Sequence, residues 1–339
     1  MTAVEQVFDF SEAEIQIMLD NLDKYTPEEV VEIDKMVDEL AVRSRNQQAY
    51  DDLIAFCKHM QPDYIVGKHH RLLADMLMAI EQGDKDRICV NIPPRHGKSQ
   101  LVSIMFPAWF LGRNPNKKVM MVSHTTDLAV DFGRKVRNLI ATEDYKQIFP
   151  TVELAVDSKS AGRWNTNSGG EYYACGIGSS IAGRGADLLL VDDPHSEQDV
   201  INGNFEVFEK AYDWFTFGAR TRLMPGGRVA IIQTRWHMDD LTGRVTKDMA
   251  QNDKSDQYEV VEFPAILKVE DKKTKKEVEK LNLDPESEKQ FTSIYFETQE
   301  KIFDKMVSYR KIKRDLYKND SADSDECLSL IHISEPRDS

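Results

Sequence analysis

Cysteine is scarce and scattered: Cys57, Cys89, Cys175 and Cys327 are the only four, and no two form a C-x-x-C. That excludes a zinc ribbon or a disulfide framework and suits reduced thiols. Cys57-Lys58-His59 and the pair His69-His70 lack spaced partner ligands, so no metal centre is expected there. No apolar run approaches bilayer-spanning length. Met1–Phe10 carry two acids and no basic stretch, so a secretory signal is not expected either. No internal repeat is evident. Positive charge is also in deficit, with 58 acids against 44 bases and a net charge of −14. The deficit is local. Residues 1–60 hold 14 acids and 5 bases, residues 319–339 hold 6 and 1, and residues 61–318 are balanced at 38 of each. Acidity of the whole chain therefore does not exclude a nucleic-acid partner, because a neutral domain can carry a basic face.

Thr26-Pro27-Glu28-Glu29 combines an N-cap, a proline at the first helical position and a glutamate at the third. An amphipathic helix is expected over 27–45 and a second over 50–60, making residues 1–60 an acidic helical segment. From residue 61 strands and helices alternate. Strands are expected at 87–92, 118–123, 171–176, 187–191, 228–233 and 258–263, and helices at 69–80, 98–111, 126–142, 205–217 and 238–249. Apolar, β-branched strands alternating with amphipathic helices imply an α/β fold, a mostly parallel sheet covered on both faces. Ligands of such sheets bind beyond the carboxyl ends of the strands. After Pro264 the chain becomes highly charged, and 267–318 reads as a linker with a helix or two within 291–318. Residues 319–339 are polar and patternless and resemble a translated frameshift.

A glycine is missing where it matters most. "NIPPRHGKS" (91–99) has the Gly-Lys-Ser of a phosphate-binding loop, G-x-x-x-x-G-K-[ST], but Ile92 stands in place of the first glycine. The context is nevertheless strand, tight turn, helix. Backbone N–H groups from Arg95 and His96 through Gly97, Lys98, Ser99 and Gln100 could cradle phosphate oxygens of ATP, with Lys98 neutralising β/γ charge and Ser99 on Mg²⁺. Arg95 could add a second cation near the γ-phosphate. "DLLLVDDP" (187–194) is an apolar strand ending in two aspartates, the form of a Walker B element. Asp192 suits Mg²⁺ held through water, and Asp193 suits activation of an attacking water; strand-end aspartates could equally cap the next helix. "VAIIQTRWH" (229–237) ends a strand in Gln233-Thr234, polar groups able to sense a γ-phosphate, and Arg235, Trp236 and His237 follow. Arg184, between Gly183 and Gly185 just before the Walker B strand, is expected near the rim of the site. There it could meet phosphoryl-transfer charge in its own site or a neighbour's, or it could form a surface salt bridge.

The series PPRHGKS, VMMVSHT, RWNTNSGGEYYACGIGSSIAGRGADLLLVDDP and QTRWHMDDLTGR resembles the ATPase domain of the large terminase subunit of tailed bacteriophages. The likeness covers roughly residues 45–266, is most specific over 163–194, and belongs to a family in which the first loop glycine is often absent. It implies a P-loop NTPase fold of RecA/ASCE-like type over 61–266. It implies a motor that hydrolyses ATP with Mg²⁺ and drives double-stranded DNA into empty procapsids in the host cytoplasm. The partners implied are the portal protein, the small terminase subunit and further copies in a pentameric ring, with a monomer in solution also compatible. Carried over, Lys98 and Ser99 are the loop pair, Asp192 the magnesium carboxylate, Asp193 the catalytic carboxylate, Gln233-Thr234 the coupling motif and Arg184 the arginine preceding Walker B. His69-His70 sits where related motors contact adenine. Large terminases also carry a nuclease domain, for which 75 residues after Pro264 are too few, so DNA cleavage is not expected of this chain. A helicase-like remodelling ATPase, or a non-enzymatic assembly protein with a degenerate nucleotide site, are the competing readings; no second RecA-like domain is evident, and the intact loop and aspartates oppose the latter.

Overall fold

The computed structural model describes residues 12–263 apart from 157, 159 and 253. The charged stretch 267–318, the helices expected within 291–318 and the tail 319–339 lie outside the described residues. The chain opens with helices α1 (Glu12–Leu19), α2 (Pro27–Asp51) and α3 (Leu53–Met60). The start of α2 is held by the expected capping box: Glu29 N donates to Thr26 Oγ1 at 3.4 Å and Thr26 N donates to Glu29 Oε2 at 2.7 Å. Helix α4 (Lys68–Gln82) then leads into β1 (Arg87–Asn91). The phosphate-loop candidate follows and opens a π-helical turn over Gln100–Met105, continued by α5 (Phe106–Arg113).

Next come β2 (Lys118–Ser123), α6 (Thr126–Ile140), α7 (Glu143–Ile148), β3 (Arg163–Asn165) and β4 (Glu171–Gly176). The chain goes on through β5 (Ala186–Asp192), α8 (Glu197–Ile201), α9 (Glu206–Asp213), a second π-helical turn (Trp214–Ala219), β6 (Leu223–Gln233), α10 (Leu241–Gln251) and β7 (Glu259–Glu262). Seven strands form one sheet in the order β3-β4-β2-β5-β6-β1-β7. All pair in parallel except β3, which runs antiparallel to β4 across a turn at 166–170.

Alternation along the central strands shows why both faces are covered. Leu188, Leu190, Ala230 and Ile232 pack with α3, α4, α5 and α6. Leu189, Val191, Val229 and Ile231 face the second π turn and α10. Side chains of period two point to opposite faces, so an unbroken apolar run is what a doubly covered strand requires. The expected boundary at residue 60 does not divide this core. Leu53, Ile54 and Phe56 of α3 belong to it, and the indole of Trp109 donates to Ala49 O and Tyr50 O at 3.1 Å.

Candidate nucleotide site

The carboxyl ends of β1, β5 and β6 lie side by side, since β6 pairs with both others. This brings three sequence motifs to one edge of the sheet. Past β1 the backbone takes positive φ at Arg95 (64°) and Gly97 (72°), with intervening residues on the ordinary side. Alternation of that kind turns successive N–H groups toward one concavity, an anion-binding nest at a helix start. Among the described residues the only non-glycine positive φ values are those of Arg95 and Asp193 (46°), one on each wall of the same site. Such strain persists only where surrounding structure enforces it.

Lys98 is buried, and its Nζ lies 2.5 Å from Asp193 Oδ2. Asp193 Oδ1 accepts from Thr234 N at 2.8 Å, which ties the end of β5 to the end of β6. Asp192, one residue back on the strand, turns to the opposite side and accepts from Ser103 Oγ at 2.5 Å. Burial pushes the Asp192 carboxyl up to about 6, with the Asp193 charge adding to the rise; Lys98 and the hydroxyls of Ser103 and Ser99 pull it back. Asp192 Oδ1 has no protein partner, nor has Ser123 Oγ, which stands opposite Asp192 in register on β2. Gln233 is also buried, with both amide atoms unpartnered. Buried polar atoms normally find partners, so these lone pairs and N–H groups fit a site that binds water, metal or phosphate. Among the described residues no group of three or more His, Cys, Asp or Glu could hold a metal ion. A divalent ion here would take most ligands from phosphate and water, the habit of Mg²⁺.

His69 and His70 meet the loop through its backbone. Both Nε2 atoms donate to His96 O, at 3.2 and 2.9 Å, and His70 Nδ1 accepts from Gly67 N at 3.0 Å. Burial, the largest cause, lowers both imidazoles from their ordinary range, His69 to about 4. A Cβ on Gly97 would come within 2.5 Å of His70 Nε2, so the glycine is required by its φ and by this contact. Both ring nitrogens of His70 are thus engaged by backbone. Gln100 donates to Gln61 Oε1 at 3.2 Å, at the end of α3.

Arg184 departs furthest from expectation. It precedes β5 at the amino edge of the sheet, and seven strand residues at about 3.3 Å each put roughly 20 Å between that edge and Asp192. Its guanidinium lies 3.4 Å from Glu171 Oε1 and 4.9 Å from the centre of the Tyr173 ring. A rim position in its own site is thus overturned, and the salt bridge is what forms. Sequence reasoning also missed Ser103, a serine in mid-helix with no motif to mark it. It missed the clamp made by Arg235, which reaches buried Asp240 at 2.8 Å and Glu262 at 3.3 Å.

A family model described as the N-terminal part of the terminase large subunit, T4-like virus type, matches residues 89–297. The chain belongs to the large terminase family. The match takes in the phosphate loop, the Asp192-Asp193 strand end and Gln233-Thr234. Among solved structures, three large terminases are similar to the chain at low identity. The HK97 bacteriophage protein is 14% identical with a TM-score of 0.43, covering 72% of this chain and 53% of its own. That of a thermophilic bacteriophage, in complex with ATP-γ-S, is 12% identical with a TM-score of 0.35, covering 64% and 49%. A mutant ATPase domain from Thermus phage P74-26 is 16% identical with a TM-score of 0.37, covering 66% and 91%. This terminase chain thus spans about half the length of the HK97 protein. No curated protein matches it.

Proposed function

We propose that this chain binds ATP at the carboxyl edge of its sheet and hydrolyses it as a motor subunit that drives double-stranded DNA into procapsids. Membership of the terminase large-subunit family supports that reading. The observation that carries it is the convergence of Lys98, Asp192 and Asp193 on a loop with positive φ at Arg95 and Gly97. The loop N–H groups and Lys98 bind the phosphates, and Arg95, exposed on the loop, adds charge near the terminal one. Ser99 and Asp192 would hold Mg²⁺, which when bound neutralises phosphate charge as a Lewis acid.

Lys98 cannot serve Asp193 and a triphosphate equally. As phosphate takes over the ammonium, Asp193 keeps its Thr234 N–H bond and is freed at Oδ2, where it can orient an attacking water and accept its proton. Gln233 and Thr234 would sense the terminal phosphate and pass its loss to the loop between β6 and α10. Duplex DNA, the portal protein, the small terminase subunit and a ring of identical subunits are the partners this role calls for.

The test is Mg²⁺-dependent phosphate release from ATP by the purified chain, with and without duplex DNA. Lys98→Ala should weaken nucleotide binding and cut turnover by about 10²–10³-fold, the scale for removing one transition-state donor. A wild-type chain with no phosphate release above background ends the reading.

A further inference from the structure

Ser103 is fully buried, four residues beyond Ser99 and inside the π-helical turn Gln100–Met105, where Phe106 N donates to Leu101 O, five residues back. Such turns are uncommon and recur at functional sites. A serine inside a helix commonly bends its hydroxyl back to the carbonyl one turn earlier. This one crosses to β5 and donates to Asp192 Oδ2 at 2.5 Å, the short geometry of a charge-assisted bond. The other oxygen, Oδ1, has no protein partner.

From this geometry we propose that Ser103 is a positioning residue for divalent-metal binding, fixing one oxygen of Asp192 so that the other stays available to the metal or its water. The proposal rests on the nucleotide-site reading above. Without the hydroxyl the carboxylate keeps only the weaker pull of Ser99 on the helix side and rotates more freely about its terminal torsion, which has only a broad preference of its own. Metal binding must then stop that rotation. The loss falls on the metal and not on the nucleotide, because Ser103 lies behind Asp192 and not on the loop. If the serine only satisfied a buried carboxylate, its removal would lower stability and leave the metal requirement as it was.

The experiment uses the full chain and a fluorescent ATP analogue, titrated with Mg²⁺ and separately with Mn²⁺ under non-hydrolysing conditions, followed by ATP turnover against Mg²⁺. Ser103→Ala should bind the analogue without metal as wild type does. It should need about 10–100-fold more Mg²⁺ for half-saturation, the equivalent of one hydrogen bond to a charged group, and should recover most turnover once Mg²⁺ saturates. Ser103→Thr keeps the donor and should stay close to wild type, which carries the test if the alanine variant does not fold. A wild-type Mg²⁺ requirement in Ser103→Ala, or a folded Ser103→Thr whose Mg²⁺ requirement rises as far, overturns the role. A wild-type chain that binds the analogue neither with nor without metal overturns the nucleotide reading itself, and the role of Ser103 with it.

Discussion

The ion pair of buried Lys98 and partly exposed Asp193 is the contact whose state the nucleotide would change. Asp193 sits at φ 46°, a conformation that Asp and Asn tolerate better than other side-chained residues. Asp193→Asn should therefore keep the backbone and the bond from Thr234 N, while removing the negative charge that holds Lys98. A buried ammonium that loses its nearest counter-charge is destabilised, by less than the roughly 3–5 kcal/mol of a fully buried pair, because Asp193 is partly exposed and Asp192 still attracts Lys98. A triphosphate would supply that counter-charge. The expected result is a variant with lower apo stability, nucleotide affinity equal to or above wild type, and a larger rise in melting temperature on adding ATP. Hydrolysis should fall by about 10²–10⁴-fold, because the proposed general base is gone. Thermal melts with and without ATP, together with phosphate release, measure all three. Turnover at the wild-type rate would move the catalytic carboxylate elsewhere, and loss of nucleotide binding would mean that Lys98 needs Asp193 to be placed.

At the scale of elements, the parallel strands were readable because burial on both faces writes itself as short apolar runs. Lys118–Ser123 and Glu171–Gly176 have the expected ends. What escaped had no such signature. The strand expected at 228–233 begins five residues earlier, where Leu223-Met-Pro-Gly-Gly opens an eleven-residue strand. The π turns at Gln100–Met105 and Trp214–Ala219 were read as continuous helix, since one i→i+5 turn scarcely alters an apolar period. Ser103 was hidden by the same turn. Lys98 and the aspartates were legible because a strand delivers its last residues to the carboxyl edge whatever the tertiary detail. Arg235 was noticed only for following Gln233-Thr234; its partners come from α10 and β7, which sequence distance conceals. Asp240 caps α10 by accepting from Gly243 N at 3.0 Å and has no exposure, so Arg235 supplies its counter-charge. Arg235→Ala should destabilise the chain by about 3–5 kcal/mol in urea unfolding. A change below about 1 kcal/mol would show that Asp240 is satisfied by its cap alone.

For the whole molecule, the parallel sheet gives the domain two unlike ends, one with Lys98 and the aspartates and one with Arg184. A side chain cannot bridge roughly 20 Å of strand, so Arg184 does not reach the nucleotide site proposed for its own subunit. It can act only where the amino edge of one copy meets the carboxyl edge of the next, the head-to-tail contact that closes a ring. Its present partners permit the departure. Glu171 is also held by Arg163 Nε at 3.0 Å, so releasing Arg184 would not strand the carboxylate. We predict that at low concentration Arg184→Ala hydrolyses ATP as slowly as wild type, because neither has a neighbour. As concentration rises, or on adding portal and DNA, wild-type specific activity should climb while the variant's stays flat, with nucleotide affinity the same in both. An arginine supplied in trans commonly changes turnover by about 10³–10⁵-fold, so even partial assembly should be visible. Mixing Arg184→Ala with Lys98→Ala should restore some activity, since a mixed contact can join an intact loop to an intact arginine. If wild type shows no concentration dependence and Arg184→Ala matches it under every condition, Arg184 is a partner of Glu171 and nothing more. Arg95, already on the loop and exposed, would then be the cation left to meet the charge that develops on the transferred phosphate.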